Sequence, residues 1–185
     1  HHAGSVGFMQ PWNFLIIREP ETKRAVKDLF LKANADALKQ YAGSRAALYR
    51  SLKLEGIEEA PVNLCVTCTR QRGGRHVLGR ATETDLYSTC CAIQNLWLAA
   101  RAEGIGVGWV SILDYEALKR LLKIPRPIKV VAYLCLGYVK EFAPRPDLER
   151  AGWRARLPVN QLIFHEQWGN REKSPNSRET AGREG

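Results

Sequence analysis

No stretch of this sequence approaches the ~18 consecutive apolar residues that a membrane span needs. No charged segment followed by an apolar run resembles a secretory leader. The expectation is a soluble, cytoplasmic protein with no membrane partner. Metal-binding patterns are equally thin: the single Cys-x-x-C, Cys65 and Cys68, has no second pair and no nearby histidine, so no metal is expected. The five cysteines, Cys65, Cys68, Cys90, Cys91 and Cys135, lie in apolar segments. The first two sit in a strand-like run and are read as reduced core thiols. Also missing is a dense basic stripe interleaved with exposed aromatics, although the formal net charge is +9. Scattered basic residues argue against nucleic acid and fit a phosphorylated small molecule better. No internal repeat is visible, and nothing marks a boundary between two domains.

What is present is enough for a core, since 185 residues with 45% hydrophobic content suit one domain. Trp12 to Arg18, bounded by Pro11 and Pro20, is a β-rich strand. Glu21 to Gln40 places Ala25, Val26, Leu29, Phe30 and Ala33 at helical spacing. Residues 41–60, broken by Gly43 and Gly56, form a mobile helical excursion of the kind that serves as a lid. Pro61 to Thr69 is a buried strand. Thr84 to Arg101 is the best helix, with Leu86, Cys90, Ile93, Leu96, Trp97 and Ala100 spaced to face a core. Its apolar residues also spread around the cylinder, so part of it is expected in a subunit interface. Gly106 to Ile112 is a further strand, Tyr115 to Leu122 a short helix, and Ile128 to Val139 a long central strand. From Gly169 onward the chain turns polar, and 169–185 is expected to be a disordered tail. Four strands among helices predict an α+β fold, a central mixed β-sheet covered by helices.

Four segments carry possible chemistry. In GIGVGWVSI, Gly104 to Ile112, three glycines in five residues invite comparison with a dinucleotide loop. That fingerprint needs a strand before the glycines and a helix after them, and here the order is reversed. Gly104 caps the preceding helix. Gly106 and Gly108 are left as bare backbone, with Ser111 available to donate or accept. The opening HHAGSVGFMQPWNF is a thin loop before a strand, able to offer the Ser5 hydroxyl and backbone N–H groups to a flat ring, or else an ordinary turn. RQRGGRHVLGR carries Arg70, Arg72, Arg75 and Arg80, and is either an anion site or, as the plainer reading, a solvated loop. WRARLP sets Arg154 and Arg156 two apart, on one side of an extended segment, an arrangement suited to phosphate.

HHAGSVGFMQPWNF, LKLEGIEEAP, YSTCCAIQNLWLAARAEGIGVGWVSI, VAYLCLGYV and GWRARLP together resemble the 5,6-dimethylbenzimidazole synthases, flavin destructases of the nitroreductase-like superfamily. The resemblance runs from residue 1 to about Trp168 and is most specific over Tyr87 to Ile112. It implies a nitroreductase-like, FMN-binding homodimer with flavins in the subunit interface, spanning residues 1–168. It further implies fragmentation of reduced FMN by molecular oxygen, yielding the lower ligand of cobalamin, with a separate flavin reductase supplying the reduced FMN. Ser5 and Val6 would contact the flavin, Trp109, Val110 and Ser111 would line its ring, and Arg154 and Arg156 would hold its phosphate. Arg45 and Leu54 would be walls of the lid, and Ser111 the polar group nearest the reacting ring, hence the catalytic residue. The family also has an upstream R-R-D-V-R segment with no counterpart here, so the chain is expected to be a fragment or a truncated product. Gly4 stands where the family usually has proline, and Thr69 where an acidic residue is expected. Two other readings of the same fold are an NAD(P)H-dependent nitroreductase or flavin reductase, and a flavin-binding protein without chemistry. The lid separates them, because a reductase must leave the flavin face open to a nicotinamide.

Overall fold

Side chains of a β-strand alternate between two faces, and the central strands here are apolar on both. In the computed structural model, which describes residues 1–171, the chain divides into two units, His1–Pro144 and Arg145–Gly185. The first contains β1 (Trp12–Ile17), α1 (Pro20–Leu38), α2 (Gly43–Ser51), β2 (Val62–Thr69), α3 (Thr84–Ala102), β3 (Ile105–Trp109), α4 (Tyr115–Leu121) and β4 (Ile128–Tyr138). The strands form one sheet in the order β1-β2-β4-β3. The α+β class holds, but the sheet differs from the mixed one expected, because all three strand pairings are antiparallel. The register supplies the reason. Ile17, at the end of β1, lies opposite Asn63 near the start of β2, so the helices between them leave and re-enter the sheet at the same end.

Alternation along β2 and β4 builds the two cores. Cys65, Tyr133 and Cys135 pack with Ile17, with Val26 and Phe30 of α1, and with Leu118 of α4. On the other face, Leu64, Val66, Ala132 and Leu134 pack with Ile93 of α3. Burial pushes the Cys65 thiol up to about 12 and the Cys135 thiol up to about 11. Both therefore stay protonated at neutral pH, and an unionised thiol is a poor nucleophile. All five cysteines are free, and Cys90 and Cys91 are exposed.

The stripe of α3 is rotated from the one expected. Its buried residues are Asp85, Ser88, Thr89, Ala92 and Ile93, while Cys90 is exposed and Leu86, Leu96, Trp97 and Ala100 are half-buried. Three polar side chains can lie on the inner face because each has partners. Asp85 accepts from Arg70 Nε at 2.8 Å and from the N–H of Gln71 at 3.0 Å and of Leu86 at 2.8 Å. Burial raises its pKa, but these bonds together outweigh that and hold the carboxyl below its ordinary value. The exposed side of α3 presents Tyr87 and Leu98, and β1 exposes Ile16.

The excursion between α1 and β2 is one helix followed by a loop that is tied down. Lys23, almost fully buried, donates to the carbonyls of Glu58 at 3.2 Å and Ala60 at 2.9 Å. Lys27 pairs with Glu55, whose other oxygen accepts from Ile57 N at 2.8 Å. α4 starts on an Asp114 cap whose carboxylate accepts from the N–H groups of Glu116 and Ala117. The strand expected over 106–112 ends at Trp109, although Val110 N still donates to Tyr133 O at 2.9 Å. Ser111 is thereby placed just beyond the strand.

The second unit begins its described part with α5 (Asp147–Arg150), which stops where Gly152 takes φ +74° and Trp153 N donates to Leu148 O at 2.8 Å. A run without regular structure through Arg154 and Arg156 leads to a turn at Val159–Gln161. Phe164 packs against Trp168, with the rings tilted by 35° and their centroids 4.5 Å apart. Most of the tail expected to be disordered, 172–185, lies outside the described residues. No helix among the described residues is long and apolar enough to cross a membrane.

Candidate functional site

β3 ends on two exposed residues, Gly108 and Trp109. Gly106 and Gly108 share one face by alternation but differ in surroundings. A Cβ at Gly106 would lie 2.5 Å from Val139 Cγ1, whereas one at Gly108 would meet nothing within 4 Å. The first glycine permits close packing; the second leaves open space beside the chain. Trp109 follows, 39% exposed, with its indole beside the Tyr115 hydroxyl on α4. The same hydroxyl is half-buried, and burial raises its pKa. Val110 is buried in the core, and Ser111 faces solvent. The Ser111 carbonyl accepts from Leu113 N at 3.0 Å, and its hydroxyl forms no hydrogen bond among the described residues. A half-open aromatic ring, bare backbone and an unengaged hydroxyl therefore lie within four residues.

The loop before β1 is arranged differently. Ser5 Oγ accepts from Gln10 N at 3.1 Å, and Val6 N donates to Ser88 Oγ at 3.1 Å. The groups that the sequence offers to a ring are thus bonded within the fold. Gly7 is held at φ +51°, where a Cβ would fall 2.0 Å from Val77 Cγ1. Thr69, at the position expected to be acidic, accepts from Asn13 Nδ2 at 3.0 Å and from Arg72 Nη2 at 3.1 Å.

Ser5 and Val6 do not meet Trp109 and Ser111 across one side of the sheet. β1 and β3 are its opposite edges, and three strand spacings separate them by roughly 14 Å. Leu54 packs against the core and lines a cavity of about 230 Å³ with Phe30, Tyr49 and Arg50. Arg45 is half-buried on α2 and does not line that cavity. Arg154 and Arg156 are exposed on the irregular run of the second unit, and neither is in an ion pair among the described residues. The arginine-rich segment is neither a bare anion site nor simply a solvated loop. Arg70 binds Asp85, and Arg72 donates to Gln10 O at 2.6 Å and also to Asn13 Oδ1, while Arg75 and Arg80 are exposed. Sequence reasoning missed Ser88, the partner of Val6, and Tyr115, the neighbour of Trp109. The only local signal for Ser88 is a polar residue on the inner stripe of an apolar helix.

The Nitroreductase family matches residues 1–138. The chain is 45% identical over 158 residues to a 5,6-dimethylbenzimidazole synthase from Rhodospirillum rubrum, covering 84% of this chain and 75% of that one. It is 44% identical to another from Rhodobacter capsulatus, covering 85% and 77%. Among solved structures, the fold is similar to that of iodotyrosine deiodinase bound to FMN and 3-iodo-L-tyrosine, with a TM-score of 0.66 at 20% identity over 88% of this chain and 82% of that one. Matches of this extent place the chain in the nitroreductase family of oxidoreductases, among relatives that are 5,6-dimethylbenzimidazole synthases.

Proposed function

We propose that this chain takes part in making the lower ligand of cobalamin, by oxygen-dependent fragmentation of reduced FMN to 5,6-dimethylbenzimidazole. The observation that carries the reading is the end of β3, where open space beside Gly108, a half-exposed Trp109 and the unengaged Ser111 hydroxyl adjoin. Those features suit a flat heteroaromatic ring that needs one hydrogen-bonding group at its edge. Reduced FMN supplies the electrons for the reaction with oxygen and is itself the substrate.

In this reading each residue has a limited task. Gly108 leaves room for the ring, and Trp109, beside Tyr115, forms a wall. Ser111 donates its proton toward negative charge that develops as oxygen reacts, a preorganised contact of the kind that lowers a barrier. Ser5 and Val6 shape a second wall. Arg154 and Arg156 bind the phosphate through charge-assisted hydrogen bonds. Leu54 and Arg45 belong to the lid, whose loop is held by Lys23 and Lys27. The separation of β1 and β3 favours a site shared between two copies, one contributing Ser5 and Val6 and the other Ser111. The exposed Ile16, Tyr87 and Leu98 support such pairing. A flavin reductase would be the second partner, and the cytoplasm the place of action.

The test uses protein expressed from the complete reading frame, mixed with chemically reduced FMN and then air. Chromatography should detect 5,6-dimethylbenzimidazole. Anaerobic mixing with NADPH should leave the flavin absorption band in place, and its rapid bleaching would instead support the reductase reading.

A further inference from the structure

The Ser5–Gln10 loop holds three residues in left-handed backbone: Gly7 at φ +51°, Phe8 at +52° and Gln10 at +46°. Glycine adopts this region freely, but phenylalanine and glutamine do so at a cost. Phe8 is 82% exposed, so burial of its ring does not offset that cost. The conformation must be imposed by the residues around it. Ser88, buried on α3, donates its hydroxyl proton to Thr84 O at 2.6 Å and accepts from Val6 N at 3.1 Å. Arg72, from the loop after β2, donates to Gln10 O at 2.6 Å and also to Asn13 Oδ1. Val77 fills the space that a Cβ on Gly7 would need. These contacts join residues 62 and 82 positions apart and grip the loop at both ends.

We infer that Ser88 and Arg72 are positioning residues that hold the Ser5–Gln10 loop in its left-handed shape, and through it set the orientation of the bound flavin ring. The second half of this statement rests on the proposed function; the first does not. Amide hydrogen exchange on the ligand-free protein tests the clamp. In Ser88→Ala, residues 5–10 should exchange about tenfold faster, while β1 and the rest of α3 keep their protection. Ser88→Thr, which retains the hydroxyl, should restore the wild-type rate, and Arg72→Met should repeat the loop-confined loss. FMN titration followed through the visible band tests the second half. Ser88→Ala should bind about tenfold more weakly, with a displaced band, and Ser88→Thr should match wild type. Unchanged exchange in both Ser88→Ala and Arg72→Met overturns the clamp, as does equal loosening of α3 and β1. A wild-type band and affinity in Ser88→Ala overturns the link to the ring. Failure of wild type to bind FMN refutes the functional reading, and exchange still decides the clamp.

Discussion

The two edges of the sheet use the same kinds of residue, glycine and serine beside an aromatic, to opposite ends. At the β1 edge the polar groups are engaged: Ser5 with Gln10, Val6 with Ser88, and Gly7 packed under Val77. At the β3 edge Gly108 borders open space, and the Ser111 hydroxyl faces solvent without a partner among the described residues. A group already bonded within the fold shapes a wall, whereas a group held in place but unengaged is free to bind or react. On the proposed reading, the first edge supplies shape and the second chemistry.

The most severe way to break this contrast is to fill the open space. A Cβ added at Gly108 meets nothing within 4 Å among the described residues, and the position lacks a positive φ, so Gly108→Val should change thermal stability little. FMN affinity should fall by up to on the order of a hundredfold, as forced overpacking costs about 1–3 kcal/mol. Equal affinity by titration would show that the ring does not lie there. Next in size is Arg156→Ala, expected to lose one charge-assisted phosphate contact, roughly 1.5–3 kcal/mol or tenfold and more in FMN affinity. Unchanged titration curves would remove its phosphate role.

Gly106→Ala sharpens the comparison from the other side. Its Cβ must displace Val139, so unfolding should come about 1 kcal/mol earlier, with FMN affinity kept. The smallest effect concerns pH. Asp85 is held below its ordinary pKa, so the unfolded chain takes up a proton at a higher pH than the native one. Its contribution is present above the ordinary carboxylate value and is lost as pH falls through the lowered one. Denaturant melts across the acid range should therefore show a shallower loss of stability for Asp85→Asn than for wild type.

Much of this fold is legible in the sequence, and the exceptions have one cause. The four strands, α1, α3 and α4 fall within a few residues of their expected limits, because alternation and helical spacing are local signals. Pairing direction is not local, and the antiparallel sheet departs from the mixed one expected. The shifted stripe of α3 has the same origin: Asp85 and Ser88 are buried because Arg70 and Val6, distant in sequence, complete their bonds. Likewise, Arg72 reads as part of a basic loop until the fold brings Gln10 to it. At the candidate site, the bare backbone of Gly108 and the available hydroxyl of Ser111 could be anticipated, while the approach of Tyr115 to Trp109 depends on how α4 returns to the sheet.

In the proposed reaction, the Ser111 hydroxyl directs the reaction of oxygen with reduced FMN toward ring fragmentation. The most direct measurement is the yield of 5,6-dimethylbenzimidazole and of hydrogen peroxide per FMN consumed, for wild type and Ser111→Ala side by side. Both are started from chemically reduced FMN in air, in protein from the complete reading frame. Ser111→Ala is expected to bind FMN and consume oxygen, yet to form dimethylbenzimidazole on the order of a hundredfold more slowly and to release peroxide instead. A wild-type yield of dimethylbenzimidazole from Ser111→Ala would contradict it.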